Sequence, residues 1–68
     1  FDLADDAYAE AEKVVGHRAE FFNNRGYSYL LRGDFNRAAK DLYRARDLAP
    51  ESEAVRNNLA LLRYAQTN

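Results

Sequence analysis

Phe22-Asn23-Asn24-Arg25-Gly26-Tyr27-Ser28-Tyr29, followed by Gly33-Asp34-Phe35 and then by Ala38, Leu42, Ala45 and Pro50, is the stretch on which the fold turns. It interleaves small residues (Gly26, Ala38, Ala45) with large ones (Phe22, Tyr29, Leu42) at helical spacing, with Gly33-Asp34 as punctuation between two apolar stripes. Small residues let two antiparallel helices cross closely, and the large ones fill the space around the crossing. Outward from it the chain repeats itself at a step of 34 residues: Phe1, Ala4 and Ala11 return as Phe35, Ala38 and Ala45, and Asn23-Asn24 as Asn57-Asn58. Softer matches share the register: Tyr8 with Leu42, Val14 with Leu48, Gly26 with Ala60. A constant step means one supersecondary unit copied along the chain, which buries its apolar face by stacking on its neighbours.

The punctuation predicts four helices. Leu3 to Val15 carries apolar residues every three or four positions, and Gly16 is expected to end it as a left-handed cap. A second helix is expected from about Arg18 to Arg32, stopping at Gly33. Asp34 caps a third with the stripe Phe35, Ala38, Ala39, Leu42, Ala45 and Leu48, which Pro50 closes. Pro50-Glu51-Ser52-Glu53 begins the fourth, its acids suited to the positive end of the helix dipole. No alternating run rich in β-branched residues occurs, so the fold class is all-α.

Size and composition narrow the function. At 68 residues, 31% charged and 47% hydrophobic, the chain is one small folded domain of marginal stability. It has no cysteine, hence no disulfide and no thiolate metal site, which leaves a cytoplasmic or periplasmic setting equally open. No apolar run approaches the roughly 20 residues needed to cross a bilayer. Up to Glu20 there are six acids and two bases, and beyond it five acids and eight bases. The acidic opening argues against nucleic acid, which calls for Lys and Arg clustered on one face. The chain opens on Phe1, in the middle of a unit, and is expected to be a piece of a longer protein.

The spacing of Phe22, Arg25, Gly26, Tyr29, Gly33, Asp34, Phe35, Ala38, Leu42, Ala45 and Pro50 resembles the tetratricopeptide repeat. The resemblance implies antiparallel helix hairpins stacked as a short right-handed solenoid. Residues 1–16 would be the second helix of a preceding repeat and 17–51 one complete repeat. Residues 52–68 would be the first helix of a following repeat or a C-terminal capping helix. Arg25 stands where the family has leucine, Gly16 where it has proline, and Arg56 and Arg63 where it has a large aromatic and a tyrosine. Arg56 and Arg63 lie seven apart on one face, as a solvating cap at the end of a solenoid requires. More loosely, the chain is similar to bacterial repeat proteins of pilus or secretion assembly.

The resemblance also implies where a partner binds. First helices line the concave groove, here Glu20, Asn23, Asn24, Tyr27, Leu30 and Leu31, then Ala54, Asn57, Asn58, Leu61, Tyr64 and Ala65. Asparagines on this face grip the backbone of an extended peptide in some members, a carboxamide offering both donor and acceptor. Asn24 and Asn58, with Asn23 and Asn57, are therefore the leading candidates, and Tyr27, Leu31 and Tyr64 would supply contact area beside them. The lysines of a carboxylate clamp are absent from the matching positions. His17-x-x-Glu20 gives at most two ligands, short of a metal site. Ser28 and Ser52 have no histidine at a spacing for nucleophilic catalysis, and no glycine loop cradles phosphate. The expectation is a non-catalytic, cofactor-free module that binds a protein or peptide. The alternative is a self-association element that stacks or exchanges helices with another copy through its terminal helices, as a homodimer.

Overall fold

The computed structural model describes the backbone of residues 2–67 and the side chains of residues 13–67. Three helices follow one another: α1 (Asp2–Leu31), α2 (Phe35–Leu48) and α3 (Glu53–Thr67), with no strand among the described residues. The all-α expectation holds, but three helices stand where four were expected, because Gly16 does not end the first. Its φ is negative, and the helix runs through it. A single glycine inside a helix costs only about 1 kcal/mol relative to alanine. The stripe that is buried at Ala19, Phe22 and Gly26 also stays in phase across it, since Val15 leads into it, all at steps of three or four, and no proline interrupts them.

Gly33 does end a helix. Its φ is +80°, the left-handed region where a Cβ is strained. The Gly33 amide donates to the Leu30 carbonyl (3.1 Å) and the Asp34 amide to the Tyr29 carbonyl (2.9 Å), the double closure of a Schellman end. Asp34 then turns from one helix to the next, its carboxylate accepting from the Arg37 amide at 3.3 Å. Pro50 and Glu51 lie in the second turn rather than in a helix. Ser52 is the residue whose hydroxyl accepts from the Val55 amide (3.4 Å), and Glu53 occupies the first turn of α3.

Residue pairing fixes the directions. Phe22 packs with Ala45, Arg25 bonds Asp41 and Gly26 meets Leu42, so α2 runs antiparallel to α1. Phe22 shares a cluster with Val55, Asn23 bonds Asn58 and Leu30 packs on the cluster that holds Leu62, so α3 runs parallel to α1. The core is two small clusters, Phe22, Ala45 and Val55 in one and Ala38, Leu42 and Leu62 in the other, with Leu59 touching both. Ala38, Leu42 and Ala45 are fully buried at 0% exposure, so α2 is the central helix.

At the crossing of α1 and α2, a Cβ on Gly26 would lie 2.8 Å from the Cγ and Cδ2 atoms of Leu42 and 3.3 Å from Asp41 Cβ. Beside it Arg25 grips Asp41 through two bonds, Nε to Oδ2 at 2.7 Å and Nη2 to Oδ1 at 2.9 Å. Asp41 is 7% exposed and would be a buried lone charge without this fork. The hydrogen bond to Asp41 is the chief cause holding the Arg25 guanidinium above its ordinary pKa.

The three glycines therefore separate in a thermal denaturation series. Gly16→Ala, with open space around the new methyl, should stabilise by about 1 kcal/mol. Gly33→Ala should destabilise by about 1–2 kcal/mol, and Gly26→Ala by about 1–3 kcal/mol through overpacking. In the same assay Arg25→Leu should lower the melting temperature, and Arg25→Leu combined with Asp41→Leu should recover much of the loss. A double variant no better than the single would show that the burden lies elsewhere than on the unpaired carboxylate.

Candidate functional site

Because α1 and α3 are parallel and one repeat step apart, they present two matching stripes. On α1 the stripe is Lys13, Glu20, Asn24, Tyr27 and Leu31; on α3 it is Ala54, Asn58, Leu61 and Ala65. Each advances by three, four or seven residues and so holds one side of its helix. Between the α1 stripe and the start of α3 lies a groove of about 400 Å³. Its floor holds Ala19, Ala49, Val55 and the buried Asn23, and its rim carries Lys13, His17, Glu20 and Ser52. Cation, anion and amide thus stand within one short trough over a largely apolar base, which suits a chain bearing mixed side chains and a polar backbone.

The asparagines divide into different roles. Asn23 is buried (8% exposed) and its Oδ1 accepts from Asn58 Nδ2 at 2.9 Å, tying α1 to α3. Asn58 is half-buried, and this bond leaves its own Oδ1 and one N–H uncommitted. Asn24 is exposed, so Asn24 and Asn58 share a stripe by register but not an environment. Tyr27 and Leu31 continue the stripe, 41% and 70% exposed. Asn57 and Tyr64 are not brought to this face. They lie seven residues apart, exposed, on the side of α3 turned away from buried Val55 and Leu62, roughly 160° round the helix between Tyr64 and Leu62.

A second hollow of about 410 Å³ lies on the other flank of α1, lined by Val14, His17, Arg18, Phe21 and Phe22. It is apolar, with Val14 and Phe21 each 54% exposed. Phe21 and Phe22 meet edge to face at 5.4 Å, and Arg25 and Arg44 lie 5.6 and 5.1 Å from the Phe22 ring centre. Sequence alone singles out neither this flank as a site, nor Lys13 on the groove rim, nor the Arg25–Asp41 pairing, and it raises His17 only with Glu20 as a metal pair. Arg25 and Asp41 are 16 residues apart and become partners only when the hairpin closes. Val14 and Phe22 carry the signal that sequence does give, both as members of the repeating apolar pattern.

Among the described residues no group of three or more His, Cys, Asp or Glu could hold a metal ion. None of the described helices is long and apolar enough to cross a membrane. Comparison with family models, with curated proteins and with solved structures returned no match.

The two stripe asparagines should respond differently to truncation. Asn58→Ala strips the donor from a buried acceptor and should destabilise by about 1–3 kcal/mol. Asn24→Ala should stay within about 0.5 kcal/mol, as an exposed position does. Chemical denaturation of both variants measures the contrast, and equal small effects would mean that the Asn23–Asn58 bond contributes little in solution.

Proposed function

We propose that the protein is a non-catalytic interaction module that holds an extended segment of a partner protein along the α1–α3 face. The observation that carries this reading is the Asn23–Asn58 bond at the edge of the 400 Å³ groove. It presets a carboxamide on each of two parallel helices and leaves Asn58 with hydrogen-bonding capacity to spare. Parallel neighbouring helices lie about 10 Å apart, close to three residues of extended chain at roughly 3.3 Å each. A peptide laid across the stripes would meet Asn24 on one helix and Asn58 on the next through its backbone, with Tyr27, Leu31 and Leu61 as contact area. Lys13 and Glu20 at the groove's end would select charged side chains by sign.

The tetratricopeptide reading belongs with this proposal. Residues 17–51 would form its hairpin, supported by the tight meeting of Gly26 with Leu42, the glycine turn at Gly33 and the burial of Ala38 and Ala45. Under it α3 is the first helix of a further unit. A setting in bacterial pilus or secretion assembly stays with the looser resemblance. Nucleic acid is disfavoured by a net charge of −1 and by acids concentrated toward the N-terminus.

Peptides selected from a random displayed library can be titrated into isotope-labelled protein. Amide shifts should centre on Glu20, Asn24, Tyr27 and Asn58. Asn24→Ala should weaken binding by about 0.5–1.5 kcal/mol without affecting the fold. Shifts confined to Val14, Arg18 and Phe21 would move the binding surface to the opposite flank of α1 and sink the groove reading.

A further inference from the structure

The side of α3 that carries Arg56, Ala60 and Arg63 is exposed. These residues stand 34 positions after Phe22, Gly26 and Tyr29, on the α1 face that packs against α2. Ala4, Tyr8, Ala11 and Val14 stand 34 positions before Ala38, Leu42, Ala45 and Leu48, the α2 residues on the other side of that contact. The chain thus holds a second version of the α2 packing stripe in the first half of α1, and a second version of the surface it fits on α3. Within one copy the two do not meet in that way. The single helix Asp2–Leu31 carries residues 2–12 along its axis past the groove that Lys13 and Gly16 share with Ala54 and Val55, whereas α3 runs beside Phe22, Asn23 and Leu30.

We propose that residues 2–16 of each copy pack on α3 of a second copy, in the register in which α2 packs on α1. Charge names the occupant. Residues 1–16 hold five acids and one base, whereas α3 holds two arginines and one acid. The match extends to single positions. The Arg44 guanidinium lies 5.1 Å over the Phe22 ring, and the register equivalents of these two residues are Glu10 and Arg56. A cation over a ring is replaced by an acid beside a base, which accounts for an arginine at a position where its equivalent in α1 is buried and aromatic. Ala60 carries the methyl that Gly26 lacks, so the crossing helix sits farther from α3 than α2 does from α1, with room for Tyr8 where α2 has Leu42. Val14, 54% exposed, gains the cover that its equivalent Leu48 has against Phe22, Ala45 and Val55.

Direction supports closure. With α3 parallel to α1, a helix laid on α3 as α2 lies on α1 runs antiparallel to both. The α1 helices of the two copies are then antiparallel, the relation a two-fold axis generates, and both contacts form in one closed pair. The stripe of Asn24, Tyr27 and Asn58 lies outside this contact, so this inference and the groove reading stand or fall separately.

Sedimentation equilibrium over a wide concentration range tests the inference, with helix content followed by circular dichroism. A monomer–dimer equilibrium is expected, weakened by added salt. Arg56→Glu or Glu10→Arg alone should raise the dissociation constant by about a hundredfold, since like charges opposed across an interface cost several kcal/mol and each 1.4 kcal/mol is tenfold. Arg56→Glu combined with Glu10→Arg should restore most of the affinity. Ala60→Trp, an exposed position in the single copy, should abolish the pair while leaving the helix content of the monomer unchanged. A monomer at every concentration overturns the proposal, as does a dimer indifferent to both reversals or a double reversal no tighter than the singles.

Discussion

Everything else in this molecule depends on how closely α1 and α2 can approach at Gly26. With hydrogen alone on that residue, the Leu42 side chain comes against the α1 backbone and is wholly buried. That approach brings Asp41 within reach of Arg25 and Ala45 under Phe22. It also builds the shelf of Ala38, Leu42 and Ala45 on which α3 rests through Leu62 and Val55. A core with so many alanines gains little from bulk, so it relies on the closeness of backbones and on the dispersion contacts that closeness provides. One methyl group at the wrong place is felt throughout such a structure.

The fold was legible where local chemistry alone decides it. Gly33 and Asp34 announce a helix end and a helix start by conformational freedom and by a side-chain acceptor, and neither needs tertiary support. Ser52 is similar. Gly16 was misread because glycine has two meanings in a helical sequence, and only the surroundings choose between them. At Gly33 the chain must reverse so that α2 can cover Tyr29 and Leu30. At Gly16 the apolar stripe continues in phase, and the structure gains nothing by stopping. The apolar spacing carries that phase, whereas the repeat period sets Gly16 at the register of Pro50, where a helix pair ends.

The candidate site was half legible for a related reason. The step of 34 residues gives Asn24 on α1 and Asn58 on α3 the same register, because register is a property of sequence. It does not reveal that Asn58 turns toward Asn23, since that choice depends on how near the parallel helices lie. Asn57 and Tyr64 inherit their positions from residues that face a neighbouring helix, and among the described residues nothing lies over them. Arg25 shows the same limit from the other side. Standing at a position where a leucine was expected, it reads as a departure until Asp41, on the facing helix, is seen to be buried with it.

The two kinds of tertiary contact also differ in how much chain they must close. The Arg25–Asp41 fork joins residues 16 apart, whereas the Asn23–Asn58 bond joins residues 35 apart. Each doubling of a loop adds roughly 0.6 kcal/mol of closure entropy, and the three-residue turn at Arg32–Asp34 is held by its own backbone bonds. Loop closure therefore favours the α1–α2 contact over the α1–α3 contact, while α3 reaches α2 across a shorter stretch still, from Ala45 to Val55 in one cluster. Low contact order of this kind belongs to fast folding.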